Sequence, residues 1–311
     1  MVRSTDLRAL VERDEILVCP GAHDPLTAAV DDLFDFEAIY MTGYGTSLSR
    51  TGYPDAGFIT MPEMVDNAAA IQERVDVPVI ADADNGYGNA TNVIRTMREF
   101  IKAGVGAVQI EDQSFPKRCG HVKGRQLIST EEAAGKFAAA ADVRDERDES
   151  VLVIGRTDAR GATDGSLDEA IDRANAYCEA GADVAFVEGP VDEDEVREIG
   201  ERVDAPLLYN CTGISPMLEP ETLEAYGFDI VIYPGVSTRA TILGLHQWIE
   251  QIQAEGSSAV EELYSKFDEL PIGSFHKFSG FPEVVEWERQ YLPEDDDEKY
   301  DDSLGESPSD Q

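Results

Sequence analysis

Three clusters of residues stand out for the chemistry that their types and spacing allow. Asp82-Ala83-Asp84-Asn85-Gly86-Tyr87-Gly88 and Ile110-Glu111-Asp112-Gln113 each continue a short apolar run. Carboxylates fixed side by side at the ends of buried strands repel one another unless a cation sits among them. An oxygen-only set without histidine suits Mg2+ or Mn2+ and not zinc. The third cluster, Lys117-Arg118-Cys119-Gly120-His121, puts two cations, a thiol and an imidazole into one Gly/Pro-punctuated loop. Neighbouring cations favour a thiolate, so Cys119 is expected to exchange protons near neutrality, and the local positive charge is expected to hold an anionic substrate.

Further candidates also follow apolar runs. Arg156, in Arg156-Thr157-Asp158, is a natural carboxylate clamp. Glu188 ends another run, and Asn210 and Thr212 offer donors to a second carboxylate. Tyr233-Pro234-Gly235 ends the last run, while Gly43 and Gly45 of Thr42-Gly43-Tyr44-Gly45 can present backbone N–H groups to an anion. Asp55 either supports the metal or serves as a turn residue. No GxGxxG follows the first run, no GxxxxGK[ST] occurs, and neither a phosphate-cradling helix start nor a serine triad is evident. A divalent metal, several anion donors and one thiol together suit a small polycarboxylate chelated by the metal. Stabilisation of an alkoxide or enolate by the ion, with the thiol protonating the departing carbanion, is retro-aldol C–C cleavage.

These groups need a scaffold that brings many strand ends together. Apolar bursts recur at 16–19, 38–41, 78–81, 107–110, 151–154, 184–187, 206–209 and 230–233. Each is nearly continuous, as in strands buried on both faces. Helical patterns fall between or after them at 24–34, 63–74, 90–103, 130–147, 167–180, 192–202, 220–226 and 237–254. Eight such pairs predict an α/β fold, a (β/α)8 TIM barrel with function at the C-terminal ends of its strands. A doubly wound open sheet is the alternative. A further helical pattern over 258–292, with the aromatic stretch 275–281, is too short for a domain of its own and extends the barrel at its C-terminus. Residues 1–292 are therefore read as one domain, and 293–311 as a disordered acidic tail.

The chain carries 63 acidic and 25 basic side chains among 311 residues, a net charge of −38. That excess opposes encounter with nucleic acid or an anionic membrane surface. Arginine outnumbers lysine, and the acids extend through the body of the chain. Adaptation to a high-salt cytoplasm accounts for this, as does an ordinary acidic protein. Cys19, Cys119, Cys178 and Cys211 have neither paired nor metal-ligand spacing, no secretion signal precedes them, and a reduced cytoplasm is expected. No apolar run approaches the roughly 20 residues needed to span a bilayer.

DADNGYG at 82–88, IEDQ at 110–113 and above all KRCGH at 117–121 resemble the isocitrate lyase / phosphoenolpyruvate mutase superfamily, and in particular its short methylisocitrate lyase-like branch. The resemblance implies a homotetramer of barrels with a helix swapped between neighbours and a mobile loop carrying Cys119. It implies Mg2+ at Asp84, reached by Asp82 and Glu111 partly through water and supported by Asp55. Thr42, Gly43 and Tyr44 stand where the keto-acid product is held, and Arg156 where its carboxylate is gripped. Glu188 and Asn210 match residues that orient the metal shell and the succinate portion. Lys117, Arg118, Gly120, His121 and Thr212 fall around the same pocket, and Cys119 matches the acid that protonates the succinate carbanion. Phe186, Ile232 and Pro234 resemble methylisocitrate lyases, whereas Tyr209-Asn210-Cys211-Thr212 resembles the YNCS run of isocitrate lyases. The implied reaction is cleavage of isocitrate or 2-methylisocitrate to succinate plus glyoxylate or pyruvate. Oxaloacetate decarboxylation, cleavage of another 2-hydroxy diacid such as a methylated malate, and phosphonate chemistry are alternatives on the same scaffold.

Overall fold

The computed structural model describes residues 3–293. Eight parallel strands form a closed barrel in chain order: β1 Leu17–Ala22, β2 Ile39–Met41, β3 Val79–Asp82, β4 Ala107–Glu111, β5 Leu152–Thr157, β6 Val184–Val187, β7 Leu207–Asn210 and β8 Ile230–Tyr233. Pairing of β8 with β1, from Leu17 opposite Ile230 to Pro20 opposite Tyr233, closes the ring. The barrel expectation is met, and the open sheet is set aside.

The helices are α1 Arg3–Val11, α2 Pro25–Asp31, α3 Gly43–Thr51, α4 Met61–Arg74, α5 Ala90–Lys102, α6 Thr130–Arg147, α7 Leu167–Glu179, α8 Glu193–Arg202, α9 Pro220–Ala225 and α10 Val236–Glu255. Side-chain caps start several of them. Ser129 accepts from the Glu132 N–H and Ser166 from the Glu169 N–H, each at 3.1 Å, satisfying donors that a helix start leaves free. Two helices were not anticipated from the sequence, α1 and α3. Leu7 and Val11 of α1 pack with Leu17, Ala107, Leu152, Val184 and Ile230. Those five open their strands, so α1 plugs the N-terminal end of the barrel.

Alternation along the strands sorts the interior into layers, because residues two apart face the same side. The inward series reads Ile80-Asp82 in β3, Ala107-Gln109-Glu111 in β4, Leu152-Ile154-Arg156 in β5 and Leu208-Asn210 in β7. Each begins apolar at the floor and ends polar at the C-terminal mouth. The parallel register places Asp82 opposite Gln109, Glu111 opposite Arg156, and Arg156 opposite Phe186. Outward residues such as Val79, Ala81, Val108 and Val153 enter the core shared with the surrounding helices. Each fully buried side chain of this size contributes roughly 1.5–3 kcal/mol.

By internal packing the chain divides into two compact units, Met1–Ala240 and Thr241–Gln311, where the sequence is read as one domain over 1–292. The second unit holds the remainder of α10, then α11 Ser257–Asp268, α12 Phe275–Phe278 and α13 Phe281–Tyr291. Its aromatic stretch forms a cluster, with Phe275 centred 5.9 Å from Phe267 and His276 centred 5.2 Å from Phe281. The acidic tail expected from 293 onward lies, past Pro293, outside the described residues. No described helix is long and apolar enough to cross a membrane.

Candidate active site

The polar layer at the mouth divides into an acidic side and an arginine side. Asp82, Asp84, Glu111 and Asp55 are all buried on the acidic side. A tight turn leaves β3, in which the Asp84 N–H donates to Asp82 Oδ1 at 2.9 Å and Asp84 takes a φ of 48°. That left-handed backbone is rare outside glycine and is tolerated where surroundings enforce it. Here the Glu111 N–H donates to the Asp84 carbonyl at 2.9 Å, continuing the β3–β4 ladder beyond the strand.

Lys117 Nζ stands between two of these acids, 2.6 Å from Asp55 Oδ1 and 2.5 Å from Asp84 Oδ1. Without substrate, the ammonium expected among the substrate-binding groups faces these carboxylates. Burial works to lower the Lys117 pKa, yet Asp84, Glu111, Asp55 and Asp82 hold it well above the ordinary lysine value. Burial likewise pushes the Asp84 carboxyl up to about 7 and Glu111 well above the usual range, despite the cations nearby. Asp112, next to Glu111, is buried and turned the other way. It accepts from Thr157 Oγ1 and the Tyr177 hydroxyl at 2.7 Å each and from the Asp158 N–H at 3.0 Å, buttressing the end of β5.

Whether this set fits a divalent ion is decided by its donors. Two cations, Lys117 and, 3.6 Å from Glu111 Oε2, Arg156, stand against four buried carboxylates, and Glu111 Oε1 has no hydrogen-bond partner among the described residues. A hard dication suits such uncompensated buried oxygens. No three acid, His or Cys side chains among the described residues form a preformed metal cage. Mg2+ does not require one, since it keeps several waters and takes one or two carboxylates together with substrate oxygens. The residues therefore fit the ion.

On the arginine side, Arg156 donates through Nε and Nη2 to Asp158, at 3.1 Å each, and Nη2 lies 3.3 Å from Glu188 Oε2. Its guanidinium carbon stands over the Phe186 ring, 5.0 Å from the centre, a cation–π contact. His121 Nε2 lies 2.9 Å from both Glu188 Oε1 and Thr212 Oγ1, and Asn210 Nδ2 donates to Glu188 Oε2 at 3.0 Å. Burial alone would raise the Glu188 carboxyl, but Arg156, His121 and Asn210 outweigh it and bring it to about 2.

The loop from 113 to 127 joins the two sides. The Cys119 N–H donates to the Asp55 carbonyl at 3.0 Å. Gly120 packs so tightly that a β-carbon there would lie 2.2 Å from Arg156 Nη2. Opposite in direction to the activation expected from its sequence neighbours, burial pushes the Cys119 thiol up to about 11, against the opposing pull of the His121 N–H and Arg156. The two cations next to it in sequence are spent elsewhere. Lys117 is paired with acids, and the exposed Arg118 turns back to donate to the Lys123 carbonyl at 3.0 Å.

Thr42-Gly43-Tyr44-Gly45 was read as a strand end without a helix start. It is the start of α3, with Thr42 Oγ1 accepting from the Gly45 N–H at 3.4 Å. A helix beginning there aims free N–H groups at the mouth. Two glycines and a tyrosine mask it in a propensity reading, but Gly43 lets the helix approach Asp82 closely. Tyr44 is exposed, and Pro234 stands at the β1–β8 seam, its backbone against Gly21. The sequence reading missed the roles of Asp158, Arg125, Tyr40 and Gln109. For Asp158, Tyr40 and Gln109 the signal, polar residues inside or just after apolar runs, is present but unspecific; Arg125 carries none.

The family described as Phosphoenolpyruvate phosphomutase matches residues 7–253. A 2,3-dimethylmalate lyase of Eubacterium barkeri is 43% identical over 94% of this chain and 99% of its own. A 2-methylisocitrate lyase of Aeropyrum pernix is 39% identical over 88% of this chain and 87% of its own. A phosphonopyruvate hydrolase solved as a complex with oxalate and Mg++ superposes with a TM-score of 0.82 at 29% identity, over 94% of this chain and 100% of its own.

Proposed function

The chain belongs to the isocitrate lyase / phosphoenolpyruvate mutase superfamily, and from that premise we propose that it is a Mg2+-dependent lyase that cleaves a 2-hydroxy polycarboxylate between C2 and C3. The reading extends to isocitrate and 2-methylisocitrate, giving succinate plus glyoxylate or pyruvate. One observation carries it. Cys119 is held on the Asp55 carbonyl, the next residue, Gly120, packs against Arg156 and Glu188, and burial pushes the thiol up to about 11. Such a thiol is protonated at neutral pH. A protonated acid is what a departing carbanion needs, so burial of Cys119 suits the role better than the activation expected from its neighbours.

Asp82, Asp84 and Glu111 would hold Mg2+ or Mn2+, with Asp55 in support. When bound, the ion supplies positive charge to the C2 oxygen as negative charge develops there. The chain's own groups do the rest. Arg156, its Nε and Nη2 committed to Asp158 and Glu188, offers Nη1 to the keto-acid carboxylate. The α3 N–H groups at Gly43 and Tyr44 bind the same end. His121, oriented by Glu188 and Thr212, and Asn210 face the other fragment, whose carbanion takes the Cys119 proton. Gly120 lets the loop close without a side chain between thiol and substrate.

A second reading, cleavage of a dicarboxylate such as 2,3-dimethylmalate to pyruvate and propanoate, is favoured by the charge inventory. Lys117, Arg125 and His121 each already face a carboxylate of the protein, and Arg156, shared with Asp158, has Nη1 left for one substrate carboxylate. A third substrate carboxylate, as in isocitrate, therefore lacks a dedicated cation. The similarity to the Eubacterium barkeri lyase along nearly its whole length supports the same choice. Release of glyoxylate or pyruvate from isocitrate, 2-methylisocitrate and 2,3-dimethylmalate, with Mg2+ and KCl varied to molar levels, tests both readings. Release from none of them overturns the lyase, and turnover of phosphonopyruvate without need of Cys119 assigns the chain to the phosphonate branch. We further propose a homotetramer, supported by the exposed apolar Leu243, Leu245 and Ile249 of α10.

A further inference from the structure

We propose that Arg125 is the positioning residue that latches the Cys119 loop onto the barrel. Arg125 is buried and lies within the loop, five residues past Gly120. Its Nη1 donates to the Gly120 carbonyl and lies 3.3 Å from Asp158 Oδ1, while Nη2 donates to the Gly161 carbonyl at 2.9 Å. One planar guanidinium thus ties the residue after Cys119 to the end of β5 and to the 3-10 turn Ala159–Gly161. The approach is specific. A β-carbon on Gly161 would lie 1.8 Å from Arg125 Nη2, so the turn is glycine where the fork must enter.

The latch also reaches the substrate clamp, because Asp158 is shared between Arg125 and Arg156. At its base the loop is held independently, by the Gln113–Leu127 bridge and by the Gln113 amide on the Arg118 backbone. Loss of Arg125 therefore leaves the base in place and loosens the tip, which the Cys119 N–H on the Asp55 carbonyl and His121 on Glu188 and Thr212 still tether. The Gly120 carbonyl would be left buried without this donor, which favours exchanging it for water by opening. Lysine keeps the charge and the stem but not the fork, and it can reach one of the three acceptors.

This inference rests on the proposed role of Cys119 only for its effect on turnover; the latch itself is read without substrate. Peptide-resolved alkylation of the full chain by iodoacetamide measures exposure of Cys119, with the half-buried Cys178 on α7 as internal reference. In Arg125→Ala the Cys119 rate should rise about tenfold with Cys178 unchanged, and in Arg125→Lys by a smaller factor. An unchanged Cys119 rate in either folded variant, or Cys119 and Cys178 rising together, overturns the proposal. If Arg125→Ala does not fold, Arg125→Lys decides. On whichever substrate supports turnover, kcat should fall by a larger factor than KM rises. Absence of wild-type turnover would overturn the lyase reading, while the alkylation result would still decide the latch.

Discussion

Gly43 lies so close to Asp82 that a β-carbon on the glycine would stand 2.4 Å from the carboxylate oxygen Oδ2. The start of α3 and the end of β3 are thus packed together through the absence of a side chain. Gly43→Ala must move either the helix or the carboxylate. Overpacking of this kind costs roughly 1–3 kcal/mol, and displacement of a carboxylate oxygen should weaken Mg2+ binding about tenfold. Calorimetric titration with Mg2+, beside thermal unfolding in EDTA, separates the two effects. Unchanged affinity would show that Asp82 is not placed by this contact.

Glu188 predicts a pH-dependent contribution to stability. Its carboxyl lies at about 2 in the folded chain, because Arg156, His121 and Asn210 outweigh burial. The unfolded value is about 4.3. A depressed folded pKa adds stability that is fully present above about pH 5 and is lost as pH falls toward 2. The shift of roughly two units corresponds to the order of 3 kcal/mol. Glu188→Gln should therefore unfold at lower urea concentration than wild type at pH 7, with the gap narrowing below pH 4.5. A gap independent of pH would assign the loss to packing.

What could be read from the sequence, and what could not, follows from how far each interaction reaches. Asp82, Glu111, Arg156 and Asn210 were legible because an apolar run fixes where a strand ends and alternation fixes which residues turn inward. The fate of Lys117 was not. Its charge is matched by Asp55 and Asp84, residues that only the closed barrel brings together. The thiol of Cys119 was misread for the same reason, since adjacency to cations in sequence counts for little once tertiary contacts have claimed them. Arg125 was missed because its acceptors at Asp158 and Gly161 lie far along the chain. The start of α3 was hidden by glycines that serve close approach and not helix propensity.

Cys119 predicts slow reaction with alkylating agents in the neutral range. A thiol at about 11 exposes roughly a hundredfold less thiolate at pH 7.5 than an ordinary free cysteine. The rate should climb steadily with pH through 9 and 10. A rate half-maximal at about pH 8.5 and level above about pH 9.5 would show an ordinary thiol. Cys119→Ser should retain Mg2+ binding but lose turnover by about 10²- to 10⁴-fold, the span typical for removal of a positioned proton donor.

The net charge of −38 predicts that stability depends on salt. Screening shortens from a Debye length of about 10 Å at 0.1 M to 3 Å at 1 M, relieving repulsion among surface carboxylates. The thermal midpoint should rise with KCl over that range and beyond. A midpoint indifferent to KCl would mark the chain as simply acidic.

Tyr40 supports the acidic side from beneath. Its hydroxyl lies 2.8 Å from Gln109 Oε1 and 3.4 Å from Asp82 Oδ2, and all three side chains are buried. One hydroxyl proton cannot serve both acceptors, and Gln109 Nε2 has no partner among the described residues. Half a turn of the Gln109 amide resolves both problems. Nε2 then donates to the tyrosine oxygen, freeing the hydroxyl proton for Asp82. In that arrangement Tyr40 orients a carboxylate proposed to face the metal, and Tyr40→Phe removes the orientation while filling the same space. Mn2+ affinity, followed by electron paramagnetic resonance of the free ion, should fall about tenfold. The buried Gln109 amide left unpaired should cost about 1–3 kcal/mol in urea unfolding. The double variant with Gln109→Leu should recover much of that stability without recovering the affinity. Full affinity in Tyr40→Phe would show that Asp82 is held from the Gly43 side alone.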